Sequence, residues 1–301
     1  MMQIFAVHRP RFLLIGLAAI LTVILPACQS APRLTAVPVP QPDAAYEAVE
    51  FASADGTPLR GYLFHPSGSG PFPAVVALHG CAGLFLPSGH MSARDLDWGK
   101  RLAAHGYLAL YPDSFTPRHL DQVCTREDVL NIPRKVRPQD ARGALRWLAA
   151  RKDVQLRNIA LMGWSNGGSS LLWSLDRRDP APDPDFKTAI AFYPGCVAVC
   201  RELAWSNRIP IHILMGEKDN WTSPQACLAL QSRGEASGPI EVTLYPDSYH
   251  DFDSPDMPLR TRHGLAHTAG VNHTATLGTN PQTRLQAIEA ALEILNKSLK
   301  P

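Results

Sequence analysis

The sequence predicts an α/β fold in which a mainly parallel central sheet is covered by helices on both faces. Short runs of apolar and β-branched residues alternate along the chain with segments whose apolar residues recur at helical spacing. The helical segments are long enough to carry the chain back across a sheet, as parallel strands require. Because 45% of the residues are hydrophobic and 19% are charged, disorder, collagen and coiled coil are disfavoured.

The predicted elements follow one another along the chain. A hairpin is expected first, with strands over 46–51 and 59–65, because the turn formers Asp55 and Gly56 lie between them. Further strands are expected over 74–78, 107–111, 159–162, 189–193, 211–215 and 240–245. Helices are expected over 95–105, 138–150, 167–175, 224–233 and 284–299. In such a sheet the active site lies at the carboxyl ends of the strands, so the residues after each strand are the candidates for chemistry.

The N-terminus is similar to a bacterial export signal. Arg9 and Arg11 precede a 14-residue apolar run over 12–25, which is shorter than a membrane-spanning helix. The run ends at LPAC, and Cys28 lies where a lipobox places the cysteine that receives a lipid. We therefore expect a signal peptide over 1–27 and a lipid on Cys28. The alternatives are a cleaved signal with an incidental cysteine and an uncleaved anchor.

A proline-rich tether is expected over 28–45, followed by a single folded domain over 46–301.

The net charge of the chain is close to zero. The chain has 29 Lys and Arg against 27 Asp and Glu, and removal of the signal with its two arginines leaves a net charge of 27 − 27 = 0. This balance disfavours a nucleic-acid partner. The expected partners are a small-molecule substrate and, through the lipid, a membrane.

A nucleophile motif follows the strand predicted over 159–162. The sequence GWSNGG at 163–168 contains G-x-S-x-G between a strand and a helix, the context in which a sharp turn exposes the serine. The helix N-terminus that follows favours negative charge developing on the substrate. Ser165 is therefore the expected nucleophile. The alternative is a glycine-rich turn with an incidental serine.

An acid and a histidine follow the last two predicted strands. Asp219 is the candidate acid, with Glu217 and Asp247 as competitors, and His250 is the candidate base. The order Ser165, Asp219, His250 is the serine–acid–histidine order of α/β-hydrolases. The loop HGCAG at 79–83 follows another strand. In this architecture it supplies one oxyanion donor, the N–H of Cys81, beside the N–H of Asn166.

These motifs together resemble the dienelactone hydrolase family. They are HGCAG at 79–83, YPDSF at 111–115, GWSNGG at 163–168, YPG at 193–195, MGEKD at 215–219 and YHDF at 249–252. The resemblance implies an α/β-hydrolase fold over about 46–299, the triad named above, and an arginine that binds a substrate carboxylate, for which Arg118 is the candidate. Trp164, beside the nucleophile, is a second candidate substrate contact, with core packing as its alternative.

The chain departs from the well-studied members of that family at three places. Those members use a cysteine nucleophile, have a glutamate near the position of Gly80, and have an arginine shortly after the histidine, where this chain has Asp253 and Ser254. Cleavage of carboxylic esters or lactones by a serine hydrolase is therefore expected rather than action on dienelactone itself. The alternatives are a serine peptidase of the same fold and a non-catalytic surface lipoprotein.

Two further groups of residues remain. In an oxidising compartment the cysteines are expected to pair as Cys81–Cys124 and Cys196–Cys200, the alternative being reduced thiols. The spacing of three histidines in the polar segment 253–281 matches no metal-ligand signature, so neither a metal nor another cofactor is expected. They are His263, His267 and His273. This long segment is expected to contribute to the rim of the pocket.

Overall fold

A central sheet of eight strands organises the part of the chain that the computed structural model describes, which is residue 40, residues 43–233 and residues 238–300. The strands are β1 (Glu47–Ala52), β2 (Pro58–Phe64), β3 (Phe72–Leu78), β4 (Leu108–Pro112), β5 (Val154–Trp164), β6 (Thr188–Phe192), β7 (Ile211–Gly216) and β8 (Ile240–Tyr245). The expected signal peptide, Cys28 and most of the expected tether lie outside the described residues. None of the helices in the described residues combines the length and the hydrophobicity that crossing a lipid bilayer requires.

The strand order is β1-β2-β4-β3-β5-β6-β7-β8. Strand β2 runs antiparallel to β1 and β4, and every pair from β4 to β8 is parallel. Strands β4 and β6 are buried along their whole length, because helices cover the sheet and leave no face for polar side chains. The predicted α/β fold with a mainly parallel sheet is confirmed.

Helices connect the strands at the predicted places. They are α1 (Ala93–Ala104), α2 (Arg137–Ala149), α3 (Asn166–Ser174), α4 (Val197–Arg201), α5 (Pro224–Gln231) and α6 (Pro281–Leu299). Side chains that accept a hydrogen bond from a backbone N–H begin three of them, Ser92 for α1, Ser223 for α5 and Asn280 for α6. The short helix α4 and the π-helical turn Ile132–Val136 that leads into α2 were not predicted from the sequence.

The segment after His250 is more ordered than the sequence predicts. Strand β9 (Arg260–Arg262) pairs antiparallel with β10 (Ala275–Leu277), and we call residues 260–277 the flap. Apolar side chains of the flap pack with Cys124 and Trp221 in a small hydrophobic cluster that is separate from the main core. The flap is therefore held against the loops that carry the site.

Candidate active site

Ser165 lies in the turn between β5 and α3, with φ 52° and ψ −115°. A non-glycine residue in this region is strained, and such strain is typical of functional turns. The turn is held from both sides, since the Ser165 N–H donates to the Phe192 carbonyl at 2.9 Å and its carbonyl accepts from the Ser169 N–H at 2.8 Å. A Cβ on Gly167 would collide with the carbonyl oxygen of Leu78, so the close approach of α3 to β3 requires glycine there.

The structure brings Ser165, His250 and Asp219 together in one hydrogen-bonded relay. Ser165 Oγ lies 2.9 Å from His250 Nε2, and His250 Nδ1 lies 2.7 Å from Asp219 Oδ2. A neutral imidazole with its proton on Nδ1 donates to the carboxylate and accepts from the serine hydroxyl at Nε2. All three side chains are buried. The relay is therefore assembled before any substrate binds.

The backbone after β7 holds the Asp219 carboxylate. The N–H groups of Trp221 and Thr222 donate to Asp219 Oδ1 at 2.8 and 2.9 Å, which leaves Oδ2 for His250. The two competing acids are exposed, and Asp247 instead pairs with Lys218 at 2.6 Å. Of the three candidate acids, Asp219 alone contacts the histidine.

The surroundings of His250 raise its pKa above the ordinary histidine value. Burial is the largest influence and opposes the imidazolium, but the charge and hydrogen bond of Asp219, with the charge of Asp251, outweigh it. The relay therefore favours the protonated imidazole that forms when His250 accepts a proton. Such stabilisation is what general base catalysis at a serine requires.

The expected oxyanion donors, Cys81 and Asn166, line the same pocket as Ser165. The loop that carries Cys81 is anchored by the buried side chain of His79, whose Nδ1 lies 2.9 Å from the Gly80 carbonyl. Burial, and then the nearby charge of Arg137, lower the pKa of His79 well below its ordinary value, so this imidazole is neutral. Arg137 Nη1 also donates to Asn166 Oδ1 at 2.8 Å.

The pocket beside Ser165 has a volume of about 460 Å³. Its apolar walls come from Val123, Leu130, Trp173, Val197 and Trp221. Residues 266–269 of the flap complete the rim, as predicted from the sequence. Of the described lining residues none is acidic, while Arg134 and Arg201 are cationic. Another cavity, of about 560 Å³ between residues 40 and 117, is lined by no member of the relay.

The structure does not place either expected substrate contact, Arg118 or Trp164, in the pocket beside Ser165. Arg118 donates to both carboxylate oxygens of Asp140, at 2.8 and 3.0 Å, and does not line the pocket. The Trp164 side chain is fully buried at the end of β5 and stacks on the ring of Phe192, so core packing, the alternative reading, describes it. The cations that do line the pocket, Arg134 and Arg201, belong to no motif and no regular spacing in the sequence, and they were not predicted.

One of the two expected disulfides is also wrong. Cys81 and Cys124 are bonded as predicted, but Cys196 pairs with Cys227 instead of Cys200. Sequence proximity misled here, because Cys196 and Cys200 lie on one helical turn while α5 brings Cys227 to a Cα–Cα distance of 5.2 Å from Cys196. Cys200 is a free thiol that donates to the Ala226 carbonyl at 3.0 Å.

The histidines of the flap do not converge. His267 lines the pocket, and His273 Nδ1 lies 3.1 Å from the Leu265 carbonyl. Among the residues that the structure describes, no group of three or more His, Cys, Asp or Glu side chains could hold a metal ion.

A parallel sheet with a strained serine turn at its carboxyl edge defines the α/β-hydrolase class. The chain belongs to the dienelactone hydrolase family, whose model matches residues 59–298. It is thus a member of a hydrolase family. A search of curated proteins found no match.

Solved structures share the fold at low sequence identity. One is a dienelactone hydrolase-like promiscuous phosphotriesterase from metagenomic libraries, with 18% identity, a TM-score of 0.62, and coverage of 85% of this chain and 99% of that one. Another is esterase 2 of Thermogutta terrifontis, with 18% identity, a TM-score of 0.57, and coverage of 87% and 96%. Dipeptidyl peptidase 4 of Porphyromonas gingivalis has 16% identity and a TM-score of 0.58, and the match covers 84% of this chain and 35% of that one.

Proposed function

We propose that this protein is a serine hydrolase that cleaves carboxylic esters or lactones. The observation that carries the proposal is the continuous relay from Ser165 through His250 to Asp219, which opens onto an apolar pocket. Its membership of a hydrolase family and its structural likeness to an esterase support the same class of reaction.

In the proposed reaction the Ser165 oxygen bonds to the ester carbonyl carbon while its proton passes to His250 Nε2. Asp219 stabilises the imidazolium, and the N–H groups of Cys81 and Asn166 bind the oxyanion. The tetrahedral intermediate then breaks its bond to the alcohol oxygen, which takes the proton from His250. Water repeats the sequence on the acyl-enzyme, so that the acid leaves and Ser165 regains its proton. The mechanism uses no metal or organic cofactor.

The walls of the pocket indicate the kind of ester. Apolar side chains suit an acyl or alcohol group without charge near the scissile bond. Arg201 on the pocket wall favours a negative group on the substrate, whereas Arg134, which also lines the pocket, is already paired with Glu202 at 3.0 Å. A panel of p-nitrophenyl esters that differ in chain length and charge tests this directly, and we expect anionic esters to have the lower KM.

A peptidase is the second candidate, and the likeness to dipeptidyl peptidase 4 favours testing it. The same preparation should be assayed with aminoacyl-anilides beside the esters. Ester turnover with inert anilides supports the proposal. Anilide turnover alone would overturn it in favour of the peptidase, and inertness toward both would favour a non-catalytic lipoprotein.

We also propose that the protein is exported and held at the periplasmic face of a membrane by a lipid on Cys28. The two disulfides support export, because disulfides persist in oxidising compartments. Metabolic labelling with a radioactive fatty acid should label the unchanged protein and leave the Cys28→Ser variant without label. An unlabelled unchanged protein would contradict the lipid anchor.

A further inference from the structure

A buried carboxylate lies beneath the relay. Asp253 is fully buried, and three side chains donate to it. Trp98 Nε1 and Trp164 Nε1 each donate to Oδ2 at 2.8 Å, and the Tyr193 hydroxyl donates to Oδ1 at 2.5 Å. Burying a carboxylate costs free energy. A buried carboxylate that three donors from separate elements satisfy is therefore a candidate for a specific role.

One of these bonds leads to the nucleophile. Trp164 is the last residue of β5 and precedes Ser165 directly. Its ring is fully buried and stacks on Phe192 at a centroid distance of 5.4 Å, and the Phe192 carbonyl accepts the Ser165 N–H. The bond from Trp164 to Asp253 therefore fixes the strand end from which the strained serine turn departs.

Another bond leads to the histidine and the acid. The Tyr193 ring packs against the His250 ring at a centroid distance of 4.5 Å. The Tyr193 carbonyl and Asp219 Oδ2 both lie 3.1 Å from the hydroxyl of Thr222. Tyr193 has φ 37°, an uncommon value for a residue with a side chain, so this position has to be held. Asp253 holds it, and Asp253 itself follows His250 by only three residues.

The geometry points to Asp253 as a positioning residue for the ester hydrolysis proposed above, on which this inference rests. Its carboxylate links the end of β5, which carries Ser165, to Tyr193 and to the loop of His250. Asp253 touches neither the substrate nor the reacting atoms. It acts by holding the Ser165–His250 and His250–Asp219 pairs at hydrogen-bonding distance.

Hydrogen bonding rather than charge is the property that matters in this role. Burial raises the pKa of the Asp253 carboxyl, against the influence of the nearby Arg94 charge and of its donors. An asparagine could accept both tryptophan bonds on its oxygen and donate its amide to the tyrosine oxygen. Asp253→Asn therefore preserves the links, whereas Asp253→Leu removes them at similar volume.

Steady-state kinetics of the whole protein on a p-nitrophenyl ester tests the inference. For Asp253→Leu we expect kcat to fall roughly 10- to 100-fold, because small displacements of reacting groups cost this much, with KM nearly unchanged. Asp253→Asn should stay within about threefold of the unchanged protein. Equal losses in both variants, or an unchanged kcat in a folded Asp253→Leu variant, would overturn the inference.

A matched pair covers the case in which Asp253→Leu does not fold. Trp98 and Trp164 donate to the same oxygen at the same distance, but Trp98 lies on α1, which carries no member of the relay. Trp164→Phe should lower kcat about fivefold or more, and Trp98→Phe less than about twofold, at similar losses in Tm. Equal effects of the two variants on kcat would show a merely structural role and overturn the inference.

A readout independent of turnover separates this inference from the proposed function. The low-field proton resonance of the His250–Asp219 hydrogen bond should be present in the unchanged protein and in Asp253→Asn, and should broaden or vanish in Asp253→Leu. If the unchanged protein hydrolyses no ester, the proposed function fails while the resonance still decides the positioning role. If esters are hydrolysed and Asp253→Leu keeps both the resonance and the rate, only the positioning role fails.

Discussion

Ser165 Oγ and His250 Nε2 lie 2.9 Å apart although 85 residues separate them along the chain. Strands β6 and β7 lie between β5 and β8 in the sheet, so the loop of His250 reaches back across two strand ends. The His250 imidazole packs against two aromatic rings that follow those strands. The centroid distance is 4.5 Å to Tyr193 and 4.7 Å to Trp221. The histidine is thus fixed by aromatic packing as well as by its hydrogen bonds.

The pH dependence of kcat/KM should report the raised pKa of His250. Protonated His250 cannot accept the serine proton, so kcat/KM should rise with pH and reach half its plateau above the ordinary histidine value of about 6.5. Burial lowers this pKa, whereas the Asp219 and Asp251 charges raise it. Asp251→Asn removes a charge that stabilises the imidazolium, so its rising limb should lie at lower pH.

Asp247→Asn is the matched control for that profile. Asp247 and Asp251 lie in the same loop at similar positive φ, 55° and 58°, but Asp247 is exposed and pairs with Lys218. Replacement of Asp247 should leave the rising part of the pH profile of kcat/KM unchanged. A limb that moves to higher pH in Asp251→Asn would contradict the electrostatic account.

The Cys81–Cys124 disulfide should support both stability and catalysis. It closes a sequence separation of 43 residues and fixes the loop that carries the expected oxyanion donor. The double replacement Cys81→Ser with Cys124→Ser should lower the free energy of unfolding in urea by roughly 2–4 kcal/mol. It should also lower kcat about tenfold, which is less than the loss in kcat when an oxyanion donor is removed entirely.

The second disulfide provides the comparison. Cys196→Ser with Cys227→Ser opens a bridge of similar separation, 31 residues, that holds no oxyanion donor. We expect a similar loss of stability with a kcat within about threefold of the unchanged protein. If the variant without Cys196 and Cys227 loses as much kcat as the variant without Cys81 and Cys124, the catalytic role of the first disulfide is refuted.

The two glycines at the start of α3 should respond differently to alanine. A Cβ at Gly167 would collide with the backbone carbonyl of Leu78, whereas one at Gly168 would approach Pro194 Cβ at 3.1 Å. Gly167→Ala should lower the free energy of unfolding by about 3 kcal/mol or more, and Gly168→Ala by about 1 kcal/mol. Urea unfolding of both variants measures the difference, and equal stabilities would contradict the close approach.

The sequence predicts the sheet and the relay because each member of the relay lies in the loop that follows a strand of a parallel sheet. It does not predict which way the side chains beside them point. Trp164 and Asp253 face the core and bond to each other across 89 residues, and no periodicity relates them. Arg134 reaches the pocket from a π-helical turn that has no sequence signature. Cys227 is brought to Cys196 only by the packing of α4 against α5.

The most direct test of the central claim compares the unchanged protein with Ser165→Ala by ester hydrolysis and by mass spectrometry after a fluorophosphonate. We expect the unchanged protein to turn over esters and to carry one adduct, on Ser165. The variant should keep its Tm and both disulfides, take up no adduct, and lose about 10⁴-fold or more in kcat. Ester turnover or labelling that persists in Ser165→Ala would contradict the account.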